Sequence, residues 1–352
     1  MHMSDALLSP VVAGTMYAAS TAVAGLSVYK LKKEEKLNTE SSFKRLPTMA
    51  VMSALVFAGQ MINYTIPGTG SSGHICGGLL LTAMLGPYAA FLSMICVLLI
   101  QCLFFADGGL MALGANIWNM AFYGCFVGYF LVFKPIMKSG INTKVKLILS
   151  SILGCVLTLQ MGAFSVVLET SLSGITELPF KSFVVLMQPI HLAIGLVEGL
   201  ATGLILVFVQ STSPDLIKGI SEKEVKKTSF KTTIAVLLAA VIVIGGGFSL
   251  LASSNPDGLE WALFGNTEYK QDVTNMGLDE ENFGTSSSIS EKAGAIQEKT
   301  SFLPDYAFSS DSENPAGTTV SGIVGSLIVA VIAACVCFAG GFFKKKTSKK
   351  AA

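Results

Sequence analysis

Apolar residues in this chain gather into long unbroken runs, with polar residues confined to the gaps between them. Several runs exceed the roughly 18 residues needed to cross a bilayer as a helix. No segment has the short apolar/polar alternation of a barrel strand, so the pattern predicts an all-α, polytopic membrane helix bundle. Nine crossings are expected, at about 7–29, 47–66, 75–88, 89–106, 109–133, 147–169, 182–210, 232–252 and 319–343. The third and fourth share one apolar run broken at Gly86-Pro87. That dipeptide interrupts helices, which predicts a tight hairpin of two short ones.

Composition agrees with this class: 51% of residues are apolar and 13% charged, with a mean hydropathy of +0.63. Soluble domains carry roughly twice that charged fraction. The net charge of +1 gives no basis for a nucleic-acid partner, but its distribution is informative. Lys30–Arg45 holds six basic residues, Lys134–Lys146 four, Lys218–Lys231 five and Lys344–Lys350 five, together 20 of the 24 Lys+Arg. These clusters occupy alternate loops, which the positive-inside rule assigns to the cytoplasm. The N-terminus is then expected outside and the C-terminus inside. The segment 253–318 falls outside, with twelve acidic residues against three lysines.

The same charge pattern divides the chain into a seven-helix module at 1–212, a cytoplasmic linker at 213–231 that includes Ser221-Glu222-Lys223-Glu224, and a second module at 232–352. In the second module two helices flank the external loop 253–318. Much of Gly265–Thr300 is expected to be mobile, because few of its residues can build a core. The seven cysteines lie in or beside apolar runs, so no disulfide framework is indicated. A cleaved signal peptide has basic residues ahead of its apolar core. Here the first lysine is Lys30, behind that core, which predicts an uncleaved start.

The candidate chemistry rests on three histidines, His2, His74 and His191. By the predicted orientation His2 and His74 lie on the same, outer side. A retained Met1 offers its terminal amine, and residue two offers its backbone nitrogen and imidazole, closing fused five- and six-membered chelate rings around one metal. A planar nitrogen set suits tetragonal ions, whereas zinc prefers tetrahedral sites. His74 would add a fourth nitrogen from a glycine-rich loop, Gly68-Thr69-Gly70-Ser71-Ser72-Gly73. On this chemistry alone a second reading stands beside the first: a frayed terminal residue, and a histidine that caps a turn. Cys76 admits two readings as well, a soft ligand or a small apolar residue. His191, Gly195, Glu198 and Thr202 share one helical face, either as a hydrogen-bonded packing pair or as support for a metal site. Asn116 and Asn119 are candidates for bonding the loops over the site or a neighbouring helix.

At this point the sequence resembles a known family. Met1-His2-Met3-Ser4-Asp5-Ala6-Leu7-Leu8-Ser9-Pro10 is similar to the start of the substrate-binding M component of cobalt/nickel energy-coupling-factor transporters. Ser72-Gly73-His74-Ile75-Cys76-Gly77-Gly78, Leu113-Gly114-Ala115-Asn116-Ile117-Trp118-Asn119-Met120, and His191 with Glu198 resemble it too. Pro256-Asp257-Gly258-Leu259-Glu260-Trp261, Leu303-Pro304-Asp305-Tyr306 and Ser321-Gly322-Ile323-Val324-Gly325 look like the small N component fused on. The resemblance implies capture of Ni(II) or Co(II) as transported substrate, with Met1, His2 and His74 as ligands. It leaves Asp5, Asn116, His191 and Glu198 as candidates for support around them. It also implies a transmembrane coupling subunit and cytoplasmic ATPase subunits as partners, in a prokaryotic plasma membrane. Many members carry glycine after the aspartate where this chain has Ala6, which bears on how tightly the N-terminal segment turns inward.

An enzyme is not expected. The chain has no phosphate-binding loop of the Walker type and neither His-Glu-x-x-His nor Gly-x-Ser-x-Gly. A planar four-nitrogen site would also leave a metalloenzyme no open equatorial position. The alternative transport class is a secondary permease driven by an ion gradient, which usually carries paired repeats and several intramembrane carboxylates. Glu169 and Glu198 are the main candidates for such carboxylates here.

Overall fold

The computed structural model describes residues 1–37, 40–175, 177–218, 230–265, 278, 283–308 and 316–348. In chain order the helices are α1 (Pro10–Leu37), α2 (Glu40–Gln60), α3 (Gly78–Leu85), α4 (Pro87–Phe105), α5 (Leu113–Met137), α6 (Thr143–Leu172), α7 (Phe180–Thr212), α8 (Phe230–Gly246), α9 (Gly258–Phe264), α10 (Ser288–Thr300) and α11 (Ala316–Ser348). Most of α5 is π-helical, over Ile117–Phe133. Between α2 and α3, β1 (Tyr64–Ile66) pairs antiparallel with β2 (Ser71–Gly73), so the expectation of no strands is corrected. The loop segment ahead of His74 closes on itself as a hairpin, and thereby satisfies backbone groups that would otherwise need water.

Among the described residues, seven helices are long and apolar enough to cross a membrane. Two of the nine expected crossings fall short of that length. The apolar part of α2 is limited to Leu46–Gln60. Helix α3 has eight residues, about 12 Å of rise against a hydrocarbon core of about 30 Å. The break between α3 and α4 lies at Gly86-Pro87 as expected, with Pro87 in the first turn of α4, where its missing N–H costs nothing. All eight α3 residues are buried; they are apolar because protein surrounds them, not because lipid does. Much of the linker, including Ser221-Glu222-Lys223-Glu224, lies outside the described residues.

Small residues set how closely the helices approach. A Cβ at Gly195 would stand 2.8 Å from Val156 Cα, and one at Gly203 2.9 Å from Ile148 Cα, so α6 and α7 run in backbone contact. The outward face of α7 carries exposed Leu192, Leu196, Leu200 and Leu204, while His191, Glu198 and Thr202 are buried on the other. Helices α8 and α11 pack on α2, and through it on the first module.

Within segment 253–318, the described residues at 253–265 and 283–308 are more structured than their composition predicts. Asp257 caps α9 with a capping box closed by Glu260, and Ser287 caps α10. Gln297 on α10 donates to the Cys102 and Gly108 carbonyls at 2.9 and 2.7 Å. Part of Gly265–Thr300 is therefore a helix docked on the first module. Its affinity for that surface comes from polar bonds to loop carbonyls, which a hydrophobicity count does not register.

Candidate metal centre

The first nine residues turn inward rather than fray. Met1, Met3, Leu7 and Leu8 are all buried, Met1 at 5% exposure. Met3 is held from both sides: its N–H donates to Asn116 Oδ1 at 2.8 Å, and its carbonyl accepts from Asn116 Nδ2 at 3.1 Å and from Gly109 N at 2.9 Å. The Asp5 carboxylate accepts from Ala112 N at 2.9 Å. A 3₁₀ turn at Asp5–Leu7 forms with Ala6 in the middle, and the Ala6 carbonyl accepts from Thr285 N at 2.8 Å. Asn116 and Asp5 thus aim the terminus into the bundle.

His74 arrives from the other direction, on the loop between β2 and α3. Gly68 and Gly70 take left-handed torsions in the hairpin turn (φ +78° and +71°), where a side chain would be strained. The loop is then tied down from α7. The buried Glu198 carboxylate accepts from Cys76 N at 2.7 Å and Gly77 N at 2.9 Å, while Gln60 donates to the Cys76 carbonyl at 2.8 Å. Cys76 is buried, and burial first, then the Glu198 charge, pushes its thiol well above the ordinary range. It therefore behaves as a packed apolar residue, since a thiol ligand must lose its proton.

These two segments bring His2 and His74 together, their rings stacked at 5.4 Å between centroids and 25° between planes. The Met1 amine donates to Asp257 Oδ2 at 3.1 Å. Asp257 belongs to the second module, 256 residues away in the chain. His2 Nδ1 lies 3.1 Å from Asp107 Oδ1 and Nε2 lies 3.3 Å from Gln101 Oε1. Burial, with the neighbouring ammonium, lowers His2 to about 3 and His74 to about 4. Both imidazoles are therefore neutral at physiological pH, and His2 can donate to only one of its two oxygen neighbours. The amine goes the other way: burial, the largest single effect, would lower its pKa, but the negative groups around it, Asp257 foremost and Asp107 with it, together raise it above the usual 8.0. Asp257 is correspondingly lowered, the ammonium overcoming the effect of burial.

Beside this group lies a cavity of about 10 Å³, room for one water-sized sphere, lined by Met1, His74, Cys76, His191 and Asp257 among others. His191 is 1% exposed, and its Nδ1 sits 2.7 Å from the Met187 carbonyl. Its Nε2 has no hydrogen-bond partner among the described residues. A wider cavity of about 410 Å³ adjoins His2, with Asp5, Asp107, Asp257, Glu260 and Asp305 in its wall.

Of the residues singled out from sequence, Met1, His2 and His74 converge. Asn116 and Glu198 position them, Asp5 anchors the turn behind them, and His191 lines the adjoining cavity. Asn119 instead bonds Glu169 at 2.8 Å. Among the described residues no group of three or more His, Cys, Asp or Glu is arranged to hold a metal. Sequence reasoning missed the parts played by Asp257 and Asp107; Tyr306, whose hydroxyl donates to Asp107, lies in the family-like Leu303–Tyr306 segment. The only signal for Asp257 was the family-like Pro256–Trp261 segment.

Comparison with known proteins bears on this geometry. Residues 2–216 match the family model described as CbiM, cobalt uptake substrate-specific transmembrane region, and residues 231–340 match the PDGLE domain. The chain is 34% identical, over 94% of its length and 95% of the relative's, to the "Putative fused nickel transport protein NikMN" of Archaeoglobus fulgidus. It is 27% identical, over 94% of its length and 96% of the relative's, to the "Fused nickel transport protein NikMN" of Rhodobacter capsulatus. Among solved structures, the crystal structure of a truncated transition metal transporter superposes with a TM-score of 0.50 at 32% identity, covering 59% of this chain and 98% of that one.

Proposed function

The chain belongs to the CbiM family of cobalt-uptake substrate-specific transmembrane components, and on that premise we propose that it captures one nickel or cobalt ion with its own N-terminus. The Met1 amine, the His2 amide nitrogen and imidazole, and the His74 imidazole are the donors. One observation carries this reading: the terminal amine is buried beside two stacked, neutral imidazoles. A chain end carries a charge that costs free energy to bury, so a terminus held inside the protein calls for a function there. Loading requires His2 Nδ1 to turn from Asp107 and the amine to leave Asp257. Calorimetry of the purified chain against Ni(II), Co(II) and Zn(II) tests the proposal. Tight binding of the first two is expected; preference for zinc would contradict a planar nitrogen set.

The two modules act as one unit, the second supplying Asp257 to the first. The absence of a phosphate-binding loop leaves ATP hydrolysis to separate ATPase subunits, working through a coupling subunit in the membrane. The permease alternative is disfavoured by its own candidates, since Glu169 bonds Asn119 and Glu198 bonds two backbone amides. Both carboxylates are engaged in holding other parts of the bundle.

The orientation follows from charge: N-terminus and segment 253–318 outside, C-terminus in the cytoplasm. Glu298 on α10 is exposed. In a chain with Cys335 and Cys337 changed to serine, Glu298→Cys is expected to react with an impermeant thiol reagent on intact cells. Labelling only after lysis would reverse the orientation.

Proton competition gives a further expectation. Metal ligands must be deprotonated, and the imidazoles already are. The competing protons are those of the His2 amide and of the amine whose pKa Asp257 raises. Affinity should therefore fall as pH drops through the neutral range, by about tenfold per pH unit for each proton released. Asp257→Asn removes the carboxylate and lowers the amine pKa, so the whole curve should move to lower pH. Calorimetry at a series of pH values decides it; an unmoved curve, or one moved upward, would mean that the ion pair does not govern loading.

A further inference from the structure

Beside the centre, His191 has a buried ring nitrogen that neither the ligand set above nor a hydrogen bond among the described residues uses. Its surroundings define it closely. Nδ1 is committed to the Met187 carbonyl one turn back on α7 at 2.7 Å. A carbonyl can only accept, so Nδ1 carries the ring proton and Nε2 holds a bare lone pair. That lone pair is buried and has no partner among the described residues, although a buried polar atom left unpaired costs about 1–3 kcal/mol. The ring lines the same small cavity as Met1 and His74. Across the cavity, Gly258 keeps the ring's approach open: a Cβ there would stand 3.2 Å from His191 Cε1 and 3.7 Å from Nε2. A buried imidazole nitrogen with an unused lone pair, on a residue that lines the same ion-sized space as Met1 and His74, is itself a metal donor in waiting.

We propose that His191 Nε2 is a fifth donor to the captured ion, standing on the axial position of the planar set, and that it extends the substrate class to cobalt. This rests on the four-nitrogen reading above. With four equatorial nitrogens in place, only an axial position remains. The two ions differ there for an electronic reason. Planar low-spin Ni(II) has a filled orbital along the axis and repels a fifth donor. Low-spin Co(II) in the same field has a single electron in that orbital and accepts one. A planar site without His191 serves nickel; the same site with it holds cobalt as a five-coordinate ion.

The test uses the full-length chain in detergent, without oxygen, loaded with Co(II) alone or Ni(II) alone. The Co(II) protein is expected to give a low-spin electron paramagnetic resonance spectrum whose axial lines split into three through one ¹⁴N nucleus. Growth with ¹⁵N-histidine should turn each triplet into a doublet, which identifies a histidine without any substitution. In His191→Gln the splitting should vanish, and the Co(II)-to-Ni(II) affinity ratio should fall at least about tenfold, the lower end of what losing even a supporting partner costs a metal site. If the Ni(II) protein has the yellow, diamagnetic signature of a planar nitrogen site while the Co(II) protein lacks the nitrogen splitting, the inference fails and the planar site stands. The inference also fails if the splitting persists in His191→Gln. A Ni(II) protein without the planar signature overturns the four-nitrogen reading and the inference with it.

Discussion

His2→Ala is expected to abolish high-affinity metal binding while the protein remains folded in the membrane. The substitution removes one equatorial donor and the six-membered chelate ring that it closes, leaving only the five-membered ring between the amine and the residue-two amide. Loss of a mere supporting partner costs a metal site about 10–100-fold in affinity, so losing a ligand should cost at least that. His74→Ala should do the same by removing the fourth nitrogen from the facing loop. The sharper variant inserts one alanine between Met1 and His2. Every side chain is kept, yet the imidazole now follows three backbone nitrogens, and the four equatorial positions fill without His74. Uptake should be impaired and the His2–His74 pairing, stacked at 5.4 Å here, should be lost on loading. Folding has reason to survive, because Asn116 and Asp5 hold the segment from Met3 onward. Calorimetry on protein shown to be folded by its thermal transition is the measurement. Wild-type affinity in His2→Ala would sink the proposed site.

Replacing Glu198 with leucine should damage the centre without touching a ligand. Its carboxylate is the acceptor for the Cys76 and Gly77 amides; the leucine would leave two buried N–H groups with nothing to bond. Each such group costs about 1–3 kcal/mol, so a loss on the order of 2–6 kcal/mol is expected. That is a large share of a typical domain's total stability. The loop that carries His74 would loosen, and metal affinity should fall together with the melting temperature. Glu198→Gln keeps one acceptor oxygen and should recover part of both. Paired melting curves and titrations distinguish this from a direct role in ligation, where affinity would fall and melting stay put. An unchanged melting temperature in Glu198→Leu would show that the carboxylate does not hold the loop.

Two parts of this protein were written locally in the chain. The long apolar runs specify helices that enter a membrane, because a bilayer requires every backbone group to be satisfied within its own segment. The Met-His start carries the donors of the proposed chelate, because these are consecutive along the backbone. Other parts depended on distance through space. Apolar composition does not separate a helix surrounded by lipid from one surrounded by protein, and α3, eight residues long and wholly buried, is the second kind. Nor could composition tell that the polar segment near α10 would bond to loop carbonyls through Gln297. Asp257 meets the amine only after 256 residues of chain have folded back on themselves. On one face of α7, a short stretch of helix sends Glu198 to the backbone of one loop and leaves the His191 lone pair facing a cavity. Helical spacing put both on that face; which of them met a partner there was decided by what the other helices brought to it.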